Sequence, residues 1–80
     1  MKIKIKAFGI AADKCGKKEW EQSFPDQVLL SVARKNLSAE FPALSDIINH
    51  SLALNQSYIH EDVVLKEGDE IAIIPPVSGG

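Results

Sequence analysis

The chain begins and ends on alternating segments. From Lys2 to Phe8, Ile3, Ile5 and Ala7 share one face while Lys2, Lys4, Lys6 and Phe8 share the other, a period of two that reads as a strand. Glu70 to Ile74 repeats the pattern, with Ile71 and Ile73 against Glu70, Ala72 and Ile74. These are the most apolar strands of the chain, so they are expected to pair at the centre of a sheet, and that makes them parallel. The chain has 80 residues, and a domain this size buries only about 60% of the surface its unfolded form exposes. The expected core is therefore thin, with little room for a deep private active site.

Gly9 to Lys18 is a loop, and Glu19 to Phe24 is a second strand with Trp20, Gln22 and Phe24 on one face. A helix starts after Pro25 with Asp26 as N-cap; Val28, Leu29, Val32 and Ala33 form its apolar stripe, and Arg34 and Lys35 suit its C-terminal dipole. Pro42 interrupts Ser38 to Asn49, and Leu44, Ile47 and Ile48 suggest a short helical turn after it. Leu52 to Asn55 is a strand, 55–57 a tight turn, Tyr58-Ile59 a brief return strand, and Gly68-Asp69 another turn. Trp20, Phe24, Val28, Leu29 and Val32 are assigned to the core. The order β-β-α-β-β-β describes a two-layer α+β roll of the β-grasp type, in which the helix covers the inward face of a mixed sheet of four to five strands. Residues 1–74 form this domain. Residues 75–80 form an extended, flexible tail.

Composition narrows the function. Hydrophobic content of 45% with 25% charged residues is ordinary for a soluble fold. The single Cys15 excludes an internal disulfide and suits a reducing compartment. The Lys-Ile alternation lacks the apolar stretch of a signal peptide, and no run reaches transmembrane length, so the expectation is a cytoplasmic protein without membrane contact. A net charge of −2 gives no footprint for nucleic acid. Residues 1–40 carry eight basic and five acidic groups (+3), and residues 41–80 carry one and six (−5). A compact fold mixes these halves into solvated surface, and steering of a partner is the competing reading.

The last six residues carry the chemistry. Proline fixes φ and donates no hydrogen bond, so Pro75-Pro76 ends the last strand and sends the chain outward. Glycine lacks a Cβ, so Gly79-Gly80 passes through slots closed to other residues. Extended, Pro75 to Gly80 spans roughly 20 Å, which presents the Gly80 carboxylate at the end of a semi-rigid arm. At the root of that arm, parallel pairing of the end strands places Phe8 and Ile74 together on the face away from the helix. An exposed aromatic beside an exposed isoleucine marks a docking patch; the structural alternative folds Phe8 back over the core.

The other candidates read as structure. Cys15 sits in a lysine-rich loop, the setting of some reactive thiols, but no His is nearby in sequence to act as its base, so no catalytic role is assigned. His50 and His60 have only Glu61 and Asp62 at ligand spacing, so no metal site is assigned. Glu67, Asp69 and Glu70 flank a turn. A pterin pocket around Trp20 does not fit so small a domain.

Ala53-Leu54-Asn55, Leu65 and the run Gly68-Asp69-Glu70-Ile71-Ala72-Ile73-Ile74-Pro75-Pro76-Val77-Ser78-Gly79-Gly80 closely resemble the small-subunit family of molybdopterin synthase, a set of ubiquitin-like sulfur carriers. The resemblance implies the β-grasp topology and a route for Gly80. An activating enzyme adenylates its carboxylate with ATP, and a sulfur donor protein's persulfide converts it to a thiocarboxylate. The synthase large subunit then takes in the tail, and the sulfur passes to a cyclic pyranopterin monophosphate to build the dithiolene. The resemblance assigns Gly80 and Gly79 to the chemistry and Phe8, Ile74, Pro75, Pro76, Val77 and Ser78 to partner contact. It implies no bound cofactor, no catalysis by the chain alone, and a two-plus-two heterotetramer with the large subunit. Two departures stand out: of the loop motif common in relatives only Gly16 corresponds, and Ile73 and Ile74 replace aromatics before the double proline. Alternatives from the same fold are a carrier for thiamine or tRNA thiolation and a ubiquitin-like protein modifier. A third is a plain interaction module whose Gly-Gly has no role.

Overall fold

The computed structural model describes residues 1–58 and 62–75. Five strands form one mixed sheet: β1 (Lys2–Ala7), β2 (Glu19–Ser23), β3 (Leu52–Leu54), β4 (Ser57–Tyr58) and β5 (Glu70–Ile73), in the order β2-β1-β5-β3-β4. The helices are α1 (Ile10–Cys15), α2 (Leu30–Glu40) and α3 (Ser45–His50), the last preceded by a 3-10 turn over Pro42–Leu44.

The two end strands lie side by side and parallel, with Ile5 opposite Ile71 and Ala7 opposite Ile73. Their inward residues Ile3, Ile5, Ile71 and Ile73 are fully buried, together with Leu37, Leu44 and Ile48 from the helical layer. Burying an aliphatic side chain of this size contributes roughly 1.5–3 kcal/mol, so this strand pair is the mechanical centre of the domain. The β-grasp roll expected from the sequence is the observed architecture.

Two segments differ from the sequence reading. The expected loop over 9–18 contains α1. Gly9 at φ 53° and Gly16 in the left-handed region bracket it, Gly16 N–H bonds Ala12 O at 2.9 Å, and Ala11 points into the core. A six-residue helix is too short to show a stripe, and its bracketing glycines read as loop residues.

The main helix begins three residues later than an Asp26 cap implies, with Leu29 at the N-cap position. Asp26 and Gln27 form a turn, with Gln27 at φ 62°, and the Asp26 carboxylate lies 3.4 Å from the Met1 ammonium. The chain then pairs before it coils: Leu29 bridges Val64, Leu30 N–H bonds Val63 O at 2.8 Å, and Leu65 N–H bonds Val28 O at 2.8 Å. The helix is capped from a distance. The Asp62 carboxylate accepts from Ser31 N–H at 2.9 Å and from Ser31 Oγ–H at 2.6 Å. The delay rotates the stripe, so Leu30, Ala33 and Leu37 are buried while Leu29 and Val32 are exposed. Leu29 and Val32 therefore do not belong to the core, whereas Phe24 and Val28 do.

The turn after β3 has both central residues at positive φ, Asn55 at 50° and Gln56 at 70°, the pattern of a type I′ hairpin. Asn55 also ties this hairpin to β5. Its Nδ2–H donates to Asp69 Oδ1 at 3.0 Å, and its Oδ1 accepts from Glu70 N–H at 2.9 Å. Among the described residues no helix is long and apolar enough to cross a membrane.

Candidate functional site: the end of the central strand pair

Because β1 and β5 are parallel, both deliver their next residues to the same end of the sheet. Phe8 N–H bonds Ile73 O at 3.1 Å, which carries the ladder one step past the strands. Ile74 N–H turns to Ser51 O at 3.1 Å. Phe8 is 47% exposed and stands outside the core cluster, so it does not fold back over the core. Ile74 and Pro75 are half-buried. Ile10, just beyond Phe8, is 51% exposed.

The register carried onward sets Gly9 opposite Pro75, so close that a Cβ added at Gly9 would meet the proline ring. Gly9 has φ 53° and ψ −130°, a conformation open to glycine and costly for other residues. Nothing local in the sequence marks Gly9 as part of this site, because Pro75 lies 66 positions away; the strand register is the signal that finds it.

The outward face of the sheet grades from charged to apolar toward this end. Lys6 Nζ lies 3.4 Å from Glu70 Oε2 and 3.8 Å from Glu19 Oε1. Lys6 and Glu70 are half-buried and Glu19 is exposed; ion pairs at a solvated surface contribute about 0–1 kcal/mol, so these set charge pattern more than stability. Ala72 and Ala53 stand level with Lys6 across β5 and β3 and are buried; one step further along the strands come Phe8 and Ile74. The arrangement offers a partner an apolar patch at the root of the C-terminal segment. Of the residues assigned to the tail, Pro76, Val77, Ser78, Gly79 and Gly80 lie outside the described residues.

The remaining candidates are structural. The Cys15 thiol donates to Lys17 O at 3.2 Å and Ala12 O at 3.8 Å, which closes the end of α1. Glu67 Oε1 accepts from Lys2 N–H at 2.9 Å, and Asp69 Oδ2 accepts from Lys66 N–H at 2.8 Å, so the acidic turn is held by its own backbone contacts. Trp20 packs against Phe41 with ring centroids 5.4 Å apart and ring planes tilted by 58°, and Lys17 Nζ lies 5.4 Å from the Trp20 centroid. Among the described residues no group of His, Cys, Asp and Glu is placed to hold a metal ion; His60 lies outside them.

A sheet with this strand order, one main covering helix and a C-terminal strand at its centre is a ubiquitin-like β-grasp domain. The ThiS family model matches residues 5–80, and the chain belongs to that family. It is 37% identical over 81 residues to a molybdopterin synthase sulfur carrier subunit of Caenorhabditis elegans, covering 98% of this chain and 96% of that one. It is 35% identical over 83 residues to the protein of the same name from Chlamydomonas reinhardtii, covering both chains completely. Among solved structures, small archaeal modifier protein 1 from Methanosarcina acetivorans superposes with a TM-score of 0.76 at 26% identity, over 99% of this chain and 96% of that one. A complex of subunits 1 and 2 of molybdopterin-converting factor from Helicobacter pylori contains a chain that superposes with a TM-score of 0.69 at 24% identity, covering both chains completely.

Proposed function

We propose that this chain is the sulfur-carrier subunit of a molybdopterin synthase, with the Gly80 carboxylate as the site of loading. The observation that carries the reading is the end-to-end match to relatives bearing that name. The described geometry supports it: the central strand delivers the C-terminal segment beside an exposed apolar patch, where a host protein can grip the domain and take in its tail.

The chemistry follows from what a carboxylate lacks. It is a poor electrophile, so an activating enzyme transfers AMP from ATP to Gly80 and releases pyrophosphate. A donor persulfide attacks the acyl adenylate and displaces AMP. A thiol then cleaves the resulting acyl disulfide, leaving a thiocarboxylate on Gly80 and a disulfide on the donor side. The thiocarboxylate is a charged, strong nucleophile at neutral pH; in the large subunit it attacks the cyclic pyranopterin monophosphate, replaces an oxygen substituent and forms a carrier–precursor thioester, which water hydrolyses to leave the sulfur on the pterin and return the Gly80 carboxylate. Ordering a flexible residue costs about 1–2 kcal/mol, so two prolines in the arm lower the cost of insertion. Phe8, Ile74 and Pro75 dock the large subunit, and Pro76, Val77 and Ser78 line the way to the chemistry. The chain is a sulfur-donating subunit and holds no cofactor of its own.

The test is single-turnover formation of the dithiolene by purified large subunit and thiocarboxylated chain. One dithiolene formed for every two thiocarboxylated chains consumed, and none with a chain lacking Gly80, is expected. Activity without Gly80 contradicts the reading. The likeness to a small archaeal modifier protein favours a second reading, attachment of Gly80 to lysines of other proteins, which predicts Gly80 isopeptides in digested cell extract.

A further inference from the structure

Among the described residues β2 is an edge strand, and the phase of its hydrogen bonds can be read twice. Ala7 N–H bonds Lys18 O at 2.9 Å; at the other end Phe24 N–H bonds Met1 O at 2.9 Å and the Met1 ammonium donates to Phe24 O at 2.8 Å. With Ile3 opposite Gln22 and Ile5 opposite Trp20, the even residues of β2 direct their backbone groups to β1. The N–H and C=O groups of Glu19, Glu21 and Ser23 therefore point to the free edge. On β1 the even residues serve β5, as Lys4 N–H to Asp69 O and Phe8 N–H to Ile73 O show, which fixes the same phase independently.

Natural sheets blunt such edges with prolines, bulges, lysines or short strands. β4 is short, at two residues. β2 has five residues, Glu-Trp-Glu-Gln-Ser, and no proline. Its outward charges are acidic: Glu19 and Glu21 are exposed, and Glu40 stands on the helix side of the edge, where its Oε1 accepts from Gln22 Nε2 at 2.8 Å. Pairing with a second copy sets Glu21 against Glu21, and like charges directly opposite are destabilising. The edge thus rejects itself.

The fold also shows what the strand accepts. On its inner edge β2 pairs with Lys2-Ile3-Lys4-Ile5-Lys6, setting Lys4 against Glu21, Lys6 against Glu19 and Ile5 against Trp20. The free edge offers the same carboxylates on one face and the half-buried Trp20 and Phe41 rings on the other. We propose that the free edge of β2 docks an extended protein segment with basic residues at alternate positions and apolar residues between them, added to the sheet as a further strand. Main-chain bonds supply affinity in this mode and alternate side chains supply specificity. The site is separate from the Phe8–Ile74 patch and does not depend on the fate of Gly80.

The test uses the full chain, 15N-labelled, titrated with acetyl-Arg-Val-Arg-Val-Arg-Val-amide and with its Glu-Val counterpart. The expected result is saturable shifts and slowed amide exchange at Glu19, Glu21 and Ser23, with the acidic peptide binding at least about tenfold more weakly. Glu21→Pro removes one outward donor at a position where an edge proline is tolerated and should abolish binding. The Glu19→Gln/Glu21→Gln double variant, which keeps the backbone intact, should lose most of the preference for the basic peptide, and it carries the test if the proline variant does not fold. Equal binding of the two peptides, shifts centred on Phe8 and Ile74, or unchanged β2 amides at millimolar peptide would overturn the proposal.

Discussion

Pro75 lies over Gly9: a Cβ built on Gly9 would come 3.7 Å from Pro75 Cγ. That distance is ordinary contact, so space alone admits an alanine. The backbone does not, because Gly9 sits at φ 53° and ψ −130°. Gly9→Ala is expected to cost about 1–3 kcal/mol, read as a lower urea midpoint with an unchanged m-value. An unchanged midpoint would mean that the turn relaxes freely and that Gly9 does not fix the exit of the C-terminal segment.

Phe8 is nearly half exposed and packs outside the core cluster. Phe8→Ala should leave stability within about 0.5 kcal/mol while weakening large-subunit binding about tenfold, the effect of losing a central aromatic anchor. Calorimetric titration and thermal melts of one preparation separate the two. A large loss of melting temperature with unchanged affinity would make Phe8 a folding residue.

Asp62 gives the domain an acid-sensitive clasp. The Ser31 hydroxyl and then the Ser31 N–H hold its carboxyl below the ordinary range against the opposing effect of burial, with lesser help from the Val63 N–H and the charge of Arg34. A pKa depressed by folding contributes stability that is present above the unfolded value and lost as pH falls through the folded one. The loss therefore begins below about pH 4, the ordinary carboxylate value. Asp62→Asn should be less stable than the parent at neutral pH, and the gap should close on acidification. A gap that stays constant down to pH 2 would show that the Asp62 charge does not matter.

The Asn55-Gln56 turn holds a glutamine at φ 70°. Gln56→Gly removes that strain and should stabilise the domain by about 0.5–1 kcal/mol in a denaturant melt. A loss of stability would indicate that the Gln56 side chain makes a contact worth more than its strain.

What the sequence made legible is what short-range pattern encodes. Ile3, Ile5, Ile71 and Ile73 alternate within their own segments, so the central pair and its inward face followed directly. Phe8 followed from the same alternation carried one residue past the strand. The start of α2 did not follow, because it is set by Asp62 and Val64, 31 and 35 positions from Ser31 and Leu29, while Asp26 offers a plausible local cap that is used elsewhere. Gly9 escaped for the same reason, since its meaning depends on a proline at the far end of the chain. The chemistry assigned to Gly80 rests on the tail motif and the relatives.

The central claim is that Gly80 is the loaded residue. Its most direct test is the intact mass of the chain after incubation with ATP, a competent activating enzyme and a persulfide donor. The expected product has one oxygen replaced by sulfur, located by fragmentation on Gly80. An unmodified Gly80, under conditions where the same enzymes load another carrier of the family, would contradict the account.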